Sequence, residues 1–143
     1  MMMLALCAGP LPGCSVLGNV YSVQNHIACP PMTDLELRAE LQRDAEGISR
    51  LVGQPVQSFQ DDAESLILNI RVPNKAPSSF WYGPQPVDVR MSTYGQELFI
   101  AVHKANDAVE DETVREVQAA VEKTVAASRC RITSSSVSQF DPI

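Results

Sequence analysis

Residues 87–103 have the sequence VDVRMSTYGQELFIAVH, and this stretch decides the fold. Apolar and polar residues alternate on both sides of its centre. This two-residue period is typical of a strand with one buried face. Gly95 can adopt positive φ, so the two runs predict an antiparallel hairpin closed by a short turn. The same alternation in residues 66–72 predicts another strand, and residues 56–59 predict a weaker fourth one.

Two amphipathic helices flank these strands. The first has a capping box at Thr33-Asp34-Leu35-Glu36 and is expected over residues 34–52, because Gly53 follows. The second is expected from about Asn106-Asp107, where acidic side chains suit the positive end of a helix. Apolar residues recur at spacings of three and four in both, at Leu37, Leu41, Ala45, Ile48 and Val52 and at Val114, Val117, Val121 and Val125. A short last strand is expected around Ile132.

The order of these elements predicts an α+β fold. We expect a two-layer sandwich, with an antiparallel sheet of three to five strands covered on one face by two helices. The folded domain should span residues 32–137, followed by a loose tail at residues 138–143. Residues 14–31 are largely polar and irregular and are interpreted as a tether. Because residues 14–31 also include apolar residues, part of this tether packing on the domain is the alternative.

The first fourteen residues differ from the rest of the chain. Residues 1–13 carry no charge, and an apolar run leads to Leu11-Pro12-Gly13-Cys14. This pattern resembles the end of a bacterial lipoprotein signal peptide, in which a small residue precedes an acylated cysteine. The resemblance implies that residues 1–13 are a signal-peptide-like segment and that Cys14 carries a lipid. An apolar N-terminus that packs or frays, with incidental cysteines, is the alternative.

The same resemblance implies a location. A lipid on Cys14 would anchor the chain to a membrane of the bacterial cell envelope, facing the periplasm. Because Ser15 is not aspartate, the sorting pattern of such lipoproteins implies the outer membrane as the destination.

Two cysteines bracket the predicted helices. Once Cys7 is lost with the signal and Cys14 is acylated, Cys29 and Cys130 remain. They fit a disulfide that closes a loop of about 100 residues and contributes up to about 4.7 kcal/mol in the chain-entropy model. Such bonds persist in oxidising compartments. Two buried free thiols are the alternative.

Composition excludes some classes of function. The formal net charge of −6 argues against a nucleic-acid partner and against electrostatic docking on anionic lipid. The chain contains no motif of a catalytic, nucleotide or zinc site, so we expect no catalytic residue, no metal and no cofactor. We therefore expect that the chain is not an enzyme.

The connection of residues 73–86 carries the strongest binding signal. It contains four prolines and the aromatic run Phe80-Trp81-Tyr82, which includes the only tryptophan. Exposed aromatic residues on a stiff loop are typical of protein interfaces, so these three are predicted to bind a partner. The alternative is that they fold back and close one end of the core. A second candidate is the open face of the sheet, where Ile67, Phe99 and Ala101 would form an apolar surface.

Three classes of function follow. The first is a non-catalytic envelope lipoprotein, an accessory or adaptor domain that binds a protein partner. The second is a binding module for a small apolar or cell-wall ligand, held in a groove between sheet and helices. The third is an enzyme of unrecognised type.

Overall fold

The computed structural model describes residues 20–74, 84–107 and 109–140, without the side chain of Phe140. In chain order the elements are β1 Val20–Ala28, α1 Asp34–Val52, β2 Val56–Asp61, β3 Leu66–Val72, β4 Val87–Tyr94, β5 Glu97–Ala105, α2 Glu112–Ala126 and β6 Arg131–Phe140. Among these residues, no helix is both long enough and apolar enough to span a membrane.

All six strands belong to one antiparallel sheet, in the order β2-β3-β4-β5-β1-β6. The predicted α+β class and the antiparallel pairing are confirmed. The expected number of three to five strands was wrong, because β1 was not foreseen. The hairpin of residues 87–103 is β4 and β5, and Gly95 takes a φ of 61° in its turn.

The core lies between the helices and one face of the sheet. Strand residues at alternate positions are fully buried, for example Ile70, Val89 and Ile100 at 0% exposure. The apolar stripes of α1 and α2 pack against them, and only Val52 at the end of α1 is partly exposed. Helix α1 has the predicted bounds, and both hydrogen bonds of the Thr33–Glu36 capping box are present.

The prediction that residues 14–31 are a tether was wrong for residues 20–28, which form β1. This strand is inserted between β5 and β6, with Tyr21, Val23 and Ile27 buried. Polar Asn25 interrupts the apolar alternation of this strand in the sequence, but its side chain is buried as well. Its burial is possible because Nδ2 donates hydrogen bonds to Ile100 O at 2.9 Å and to Gln118 Oε1 at 3.1 Å. A satisfied buried amide therefore continues the apolar face of the strand.

The prediction of a loose tail from residue 138 was also wrong in part. β6 continues to Phe140, because β1 offers backbone partners as far as the Val20–Phe140 pair. The last strand is therefore ten residues long rather than short.

Helix α2 begins at Glu112, later than predicted. The acidic residues before it bind a buried lysine instead of forming a first helical turn. Lys104 is 1% exposed, and its Nζ lies 3.2 Å from Asp107 Oδ2 and 2.8 Å from Asp111 Oδ2. Asp111 is also the N-cap, since its Oδ1 accepts a hydrogen bond from Val114 N at 2.9 Å. Burial alone would raise the pKa of Asp111, but the hydrogen bond from Lys104 and others outweigh it and lower the pKa.

Replacing the buried lysine tests this ion cluster. We expect Lys104→Met to reduce the free energy of unfolding by about 3 kcal/mol, because two carboxylates lose their buried counter-ion. Urea unfolding at neutral pH measures the change. The exposed Lys123→Met variant is the control and should lie within about 0.5 kcal/mol of the parent chain. Equal stability of the two variants would contradict the role of Lys104.

Candidate functional site

The structure joins two of the predicted site residues. Cys29 and Cys130 form a disulfide, as predicted, with an S–S distance of 2.12 Å. Cys14 and the aromatic run at residues 80–82 lie outside the described residues. Their roles in lipidation and partner binding therefore stay predictions.

The disulfide lies where β1 ends and β6 begins. Cys29 follows Ala28, and Cys130 precedes Arg131, which pairs with Ala28 in the sheet. The two cysteine Cα atoms are 4.3 Å apart, and Cys130 is buried. The bond therefore links neighbouring ends of two paired strands that are about 100 residues apart in the chain.

The start of β1 and the connection of residues 73–86 both lie at the opposite end of the sheet from the disulfide. Val20, the first residue of β1, pairs with the last residues of β5 and β6. At the same end β3 finishes and β4 starts, since Val72 pairs with Val87. The connection of residues 73–86 therefore begins and ends at the end of the sheet where β1 begins.

β6 is one edge of the sheet, and no described strand pairs with its outer side. Residues 132–139 carry no charge, and all of them except half-buried Ile132 are exposed. Edge strands are usually protected by charge, proline or a bulge. The bulge of β6 lies near its start, opposite His26 and Ile27, so the pairing from Ser134 onward is regular. The part of the chain that the structure describes therefore leaves this edge open to a further strand.

The other edge, β2, is less suited to strand addition. It has six residues, and its pairing with β3 is irregular between Ser58 and Gln60. The ring of Phe59 lies under the guanidinium of Arg90, with the carbon of that group 4.7 Å from the ring centroid. A short and bulged edge presents few regular backbone partners.

The open face of the sheet is more polar than expected. The three apolar residues predicted there, Ile67, Phe99 and Ala101, are half-buried. Arg71 donates two hydrogen bonds to Asp88, at 2.9 and 3.0 Å. Asn69 bonds to both Asp88 and Arg90, at 3.2 and 3.3 Å. This network places polar and charged side chains next to Ile67 and Ala101, so the face is not a continuous apolar surface.

Two carboxyl groups are buried on α1 beside its apolar stripe. Glu40 and Asp44 are each 1% exposed. Glu40 is well bonded, since it accepts from Arg43 at 2.5 Å and from the backbone N of Arg129 at 3.3 Å. Within the described residues, Oδ2 of Asp44 has no hydrogen-bond partner. Burial, reinforced by the charge of Glu40, raises the pKa of Asp44 to about 7, although Arg43 opposes the shift.

The sequence contains a signal for this pair that went unused. Glu40 and Asp44 are four residues apart, and each directly precedes a stripe residue, Leu41 or Ala45. That spacing places both carboxyl groups on one helical face, close to the core. Their burial itself depends on the packing of α2 against α1, which the sequence pattern of α1 alone does not show.

A cavity of about 350 Å³ opens beside Asp44. It lies between α1 and the C-terminal half of α2, lined by Gly47, Leu51 and Thr124 among others. This is a different place from the groove between sheet and helices in which the sequence analysis put a small ligand. The rim carries the basic residues Arg43, Arg50 and Lys123.

A search of protein-family models and a search of curated proteins find no match to this chain. Inference about its function therefore starts from three features: the disulfide, the outer edge of β6, which no described strand covers, and the cavity beside Asp44.

The raised pKa of Asp44 predicts a specific pH dependence of stability. The carboxyl binds its proton more tightly in the folded chain than in the unfolded chain, where its pKa is near 3.8. The free energy of unfolding should therefore fall as the pH rises from about 4 to about 7, by at most about 4 kcal/mol from this group. Asp44→Asn should remove that fall, and urea unfolding across this pH range measures it. Parallel curves for the two proteins would show that Asp44 titrates normally.

Proposed function

We propose that this chain is a non-catalytic lipoprotein of the bacterial cell envelope, whose domain is an adaptor that binds a protein partner. The observation that carries the proposal is the outer edge of β6, which no described strand covers and which from Ser134 onward is regular and carries no charge. Exposed strand edges bind extended segments of other proteins through backbone hydrogen bonds. In our proposal, a partner segment adds to the sheet as a seventh strand beside β6.

Two features support the envelope location. The Cys29–Cys130 disulfide suits an oxidising compartment, and the periplasm is one. The lipobox-like Leu11-Pro12-Gly13-Cys14 suits a lipid anchor at Cys14, with the outer membrane favoured because Ser15 follows.

The anchor and the domain would be close together. Only six residue steps separate Cys14 from Val20, where β1 begins, and six extended residues span at most about 20 Å. The end of the sheet that holds the start of β1 would then lie near the membrane. β6 would run from the disulfide end toward that membrane-proximal end.

The aromatic run Phe80-Trp81-Tyr82 fits the same surface in this proposal. The connection that carries it joins β3 to β4, and β4 is three strand spacings from β6. At about 4.8 Å per spacing, the start of β4 at Val87 is roughly 14 Å from the end of β6. A single partner segment is long enough to contact both places.

Intact-mass analysis tests the anchor. We expect the protein made in a bacterial host to start at Cys14 and to carry a diacyl or triacyl group there. The Cys14→Ser variant is the control and should retain its N-terminal segment without a lipid. A parent chain that keeps Met1 and carries no lipid would overturn the envelope proposal.

Photo-crosslinking in cells tests the partner surface. A crosslinking amino acid at Ser138 of β6 should join the domain to one main partner, and the same probe at Ser58 of β2 should not. The additional change Ser136→Lys should abolish the Ser138 product, because a charge on an edge strand opposes strand addition. Ser136 is exposed, so the thermal midpoint should stay nearly unchanged.

The outcomes separate the two parts of the surface. Trp81→Ala should weaken the Ser138 crosslink without a large loss of stability if the aromatic run contacts the partner. A large loss of stability would assign the tryptophan to the core. Equal crosslinking from both edges of the sheet would overturn the role of β6.

A further inference from the structure

A groove of about 280 Å³ lies between α2 and the helix-facing side of β1 and β6. The buried side chains of Tyr21 and Val23 in β1 form its floor, and Val137 of the edge strand β6 also lines it. Val137 faces the helices because it pairs with Val23 across the two strands. It is nevertheless 59% exposed, so α2 leaves this part of β6 uncovered.

Two carboxylates lie at the rim of the groove, on Glu110 and Glu122. Glu110 already has partners, since Nη1 of Arg115 lies 3.0 Å from its Oε1 and the hydroxyl of Tyr21 donates to its Oε2 at 3.2 Å. Glu122 is exposed and accepts a hydrogen bond from the neutral side chain of Gln118 at 3.1 Å. Within the described part of the chain, Glu122 forms no ion pair. A cation in the groove can therefore bind Glu122 without displacing an existing ion pair.

The opposite face of β6 carries short side chains. Ser134, Ser136 and Ser138 are exposed on the open face of the sheet, because they alternate with Val137 along a regular strand. When an extended segment adds to a sheet edge, pockets for its alternate side chains provide the specificity. The groove on the helix-facing side is therefore the place where β6 can select a partner by its side chains.

We propose that the segment that adds to β6 carries a basic residue, lysine or arginine, at a position that faces the helices. This inference rests on the proposed addition of a strand to β6. The aliphatic part of the basic side chain packs on Val137 and the floor of the groove, and its charged group pairs with Glu122. Basic side chains commonly cover apolar surface in this way while the charge stays in water. The added strand lies about 4.8 Å from β6, a distance that a lysine or arginine side chain spans.

A second copy of this chain fits the groove less well. Addition of β6 to β6 would place residues 132–139 beside Val137, and these residues carry no charge. Glu122 would then gain no cation from the added strand. The net charge of −6 also opposes the association of two copies and favours a basic partner.

Three short synthetic peptides test the chemistry. Each alternates threonine and valine and is acetylated and amidated, and its central residue, on the valine side, is arginine, citrulline or glutamate. In NMR titrations of the disulfide-bonded full chain, the arginine peptide should saturate and shift the signals of β6 and α2. The citrulline peptide keeps the shape without the charge and should bind about fivefold more weakly. Equal binding of these two peptides would overturn the proposal, and so would the absence of saturation by the arginine peptide.

Variants of α2 test the residue. Glu122→Gln should weaken binding of the arginine peptide about fivefold and leave binding of the citrulline peptide unchanged. Glu116→Gln is the matched control, since Glu116 is exposed on the same helix outside this groove. Glu122→Lys should prefer the glutamate peptide to the arginine peptide, a reversal that a merely structural role would not produce. Thermal midpoints establish that the variants are folded. Undiminished preference for the arginine peptide in Glu122→Gln would overturn the role of Glu122.

The crosslink in cells separates this inference from the proposed function. The partner fragment joined to the probe at Ser138 should contain a lysine or arginine, and Glu122→Lys should weaken that product while Glu116→Lys should not. A product of equal yield in both variants would retain strand addition at β6 and overturn the role of the groove. A product of two joined copies would identify a second copy as the occupant and overturn the basic partner. The absence of any Ser138 product would overturn strand addition itself, and this inference with it.

Discussion

The insertion of β1 between β5 and β6 is the constraint on which the rest of the structure depends. Each edge of β1 is paired over eight or more residues, so this N-terminal strand connects β6 to the remainder of the sheet. Tyr21, Val23 and Ile27 of β1 also extend the core under the helices. The Cys29–Cys130 disulfide secures the outer of the two pairings at one end. Loss of β1 would therefore remove two strands from the sheet.

Because of this topology, different segments of the chain lie at the two ends of the sheet. The disulfide and the short β2–β3 and β4–β5 turns lie at one end. At the other end, β1 begins and the connection of residues 73–86 leaves the sheet. A lipid at Cys14, as we propose, would place the second end toward the membrane. In that arrangement, the position of β1 would set both the orientation of the domain and the accessibility of β6.

Some buried charged side chains have ion-pair or hydrogen-bond partners, and one buried carboxyl group lacks a partner for one of its oxygens. Lys104 is neutralised by Asp107 and Asp111, and this cluster holds the chain between β5 and α2. Glu40 is likewise bonded by Arg43 and Arg129. Asp44 is the contrast, because burial raises its pKa to about 7 and one of its buried oxygens has no hydrogen-bond partner among the described residues.

The sequence by itself determined the elements whose information is local. The Thr33–Glu36 capping box and Gly53 set both ends of α1, and the alternation of residues 87–103 specified a hairpin, because neighbouring residues alone determine caps, periods and turns.

Tertiary structure decided the features that depend on distant partners. Residues 20–28 became a strand because β5 and β6 satisfy its backbone and Gln118 satisfies Asn25. Helix α2 starts late because Lys104 binds the acidic residues before it, and Asp44 is buried because α2 packs across α1. The pairing of Cys29 with Cys130 depends on both, since the sequence places one cysteine before the first helix and one after the second, and the register of β1 on β6 brings them together.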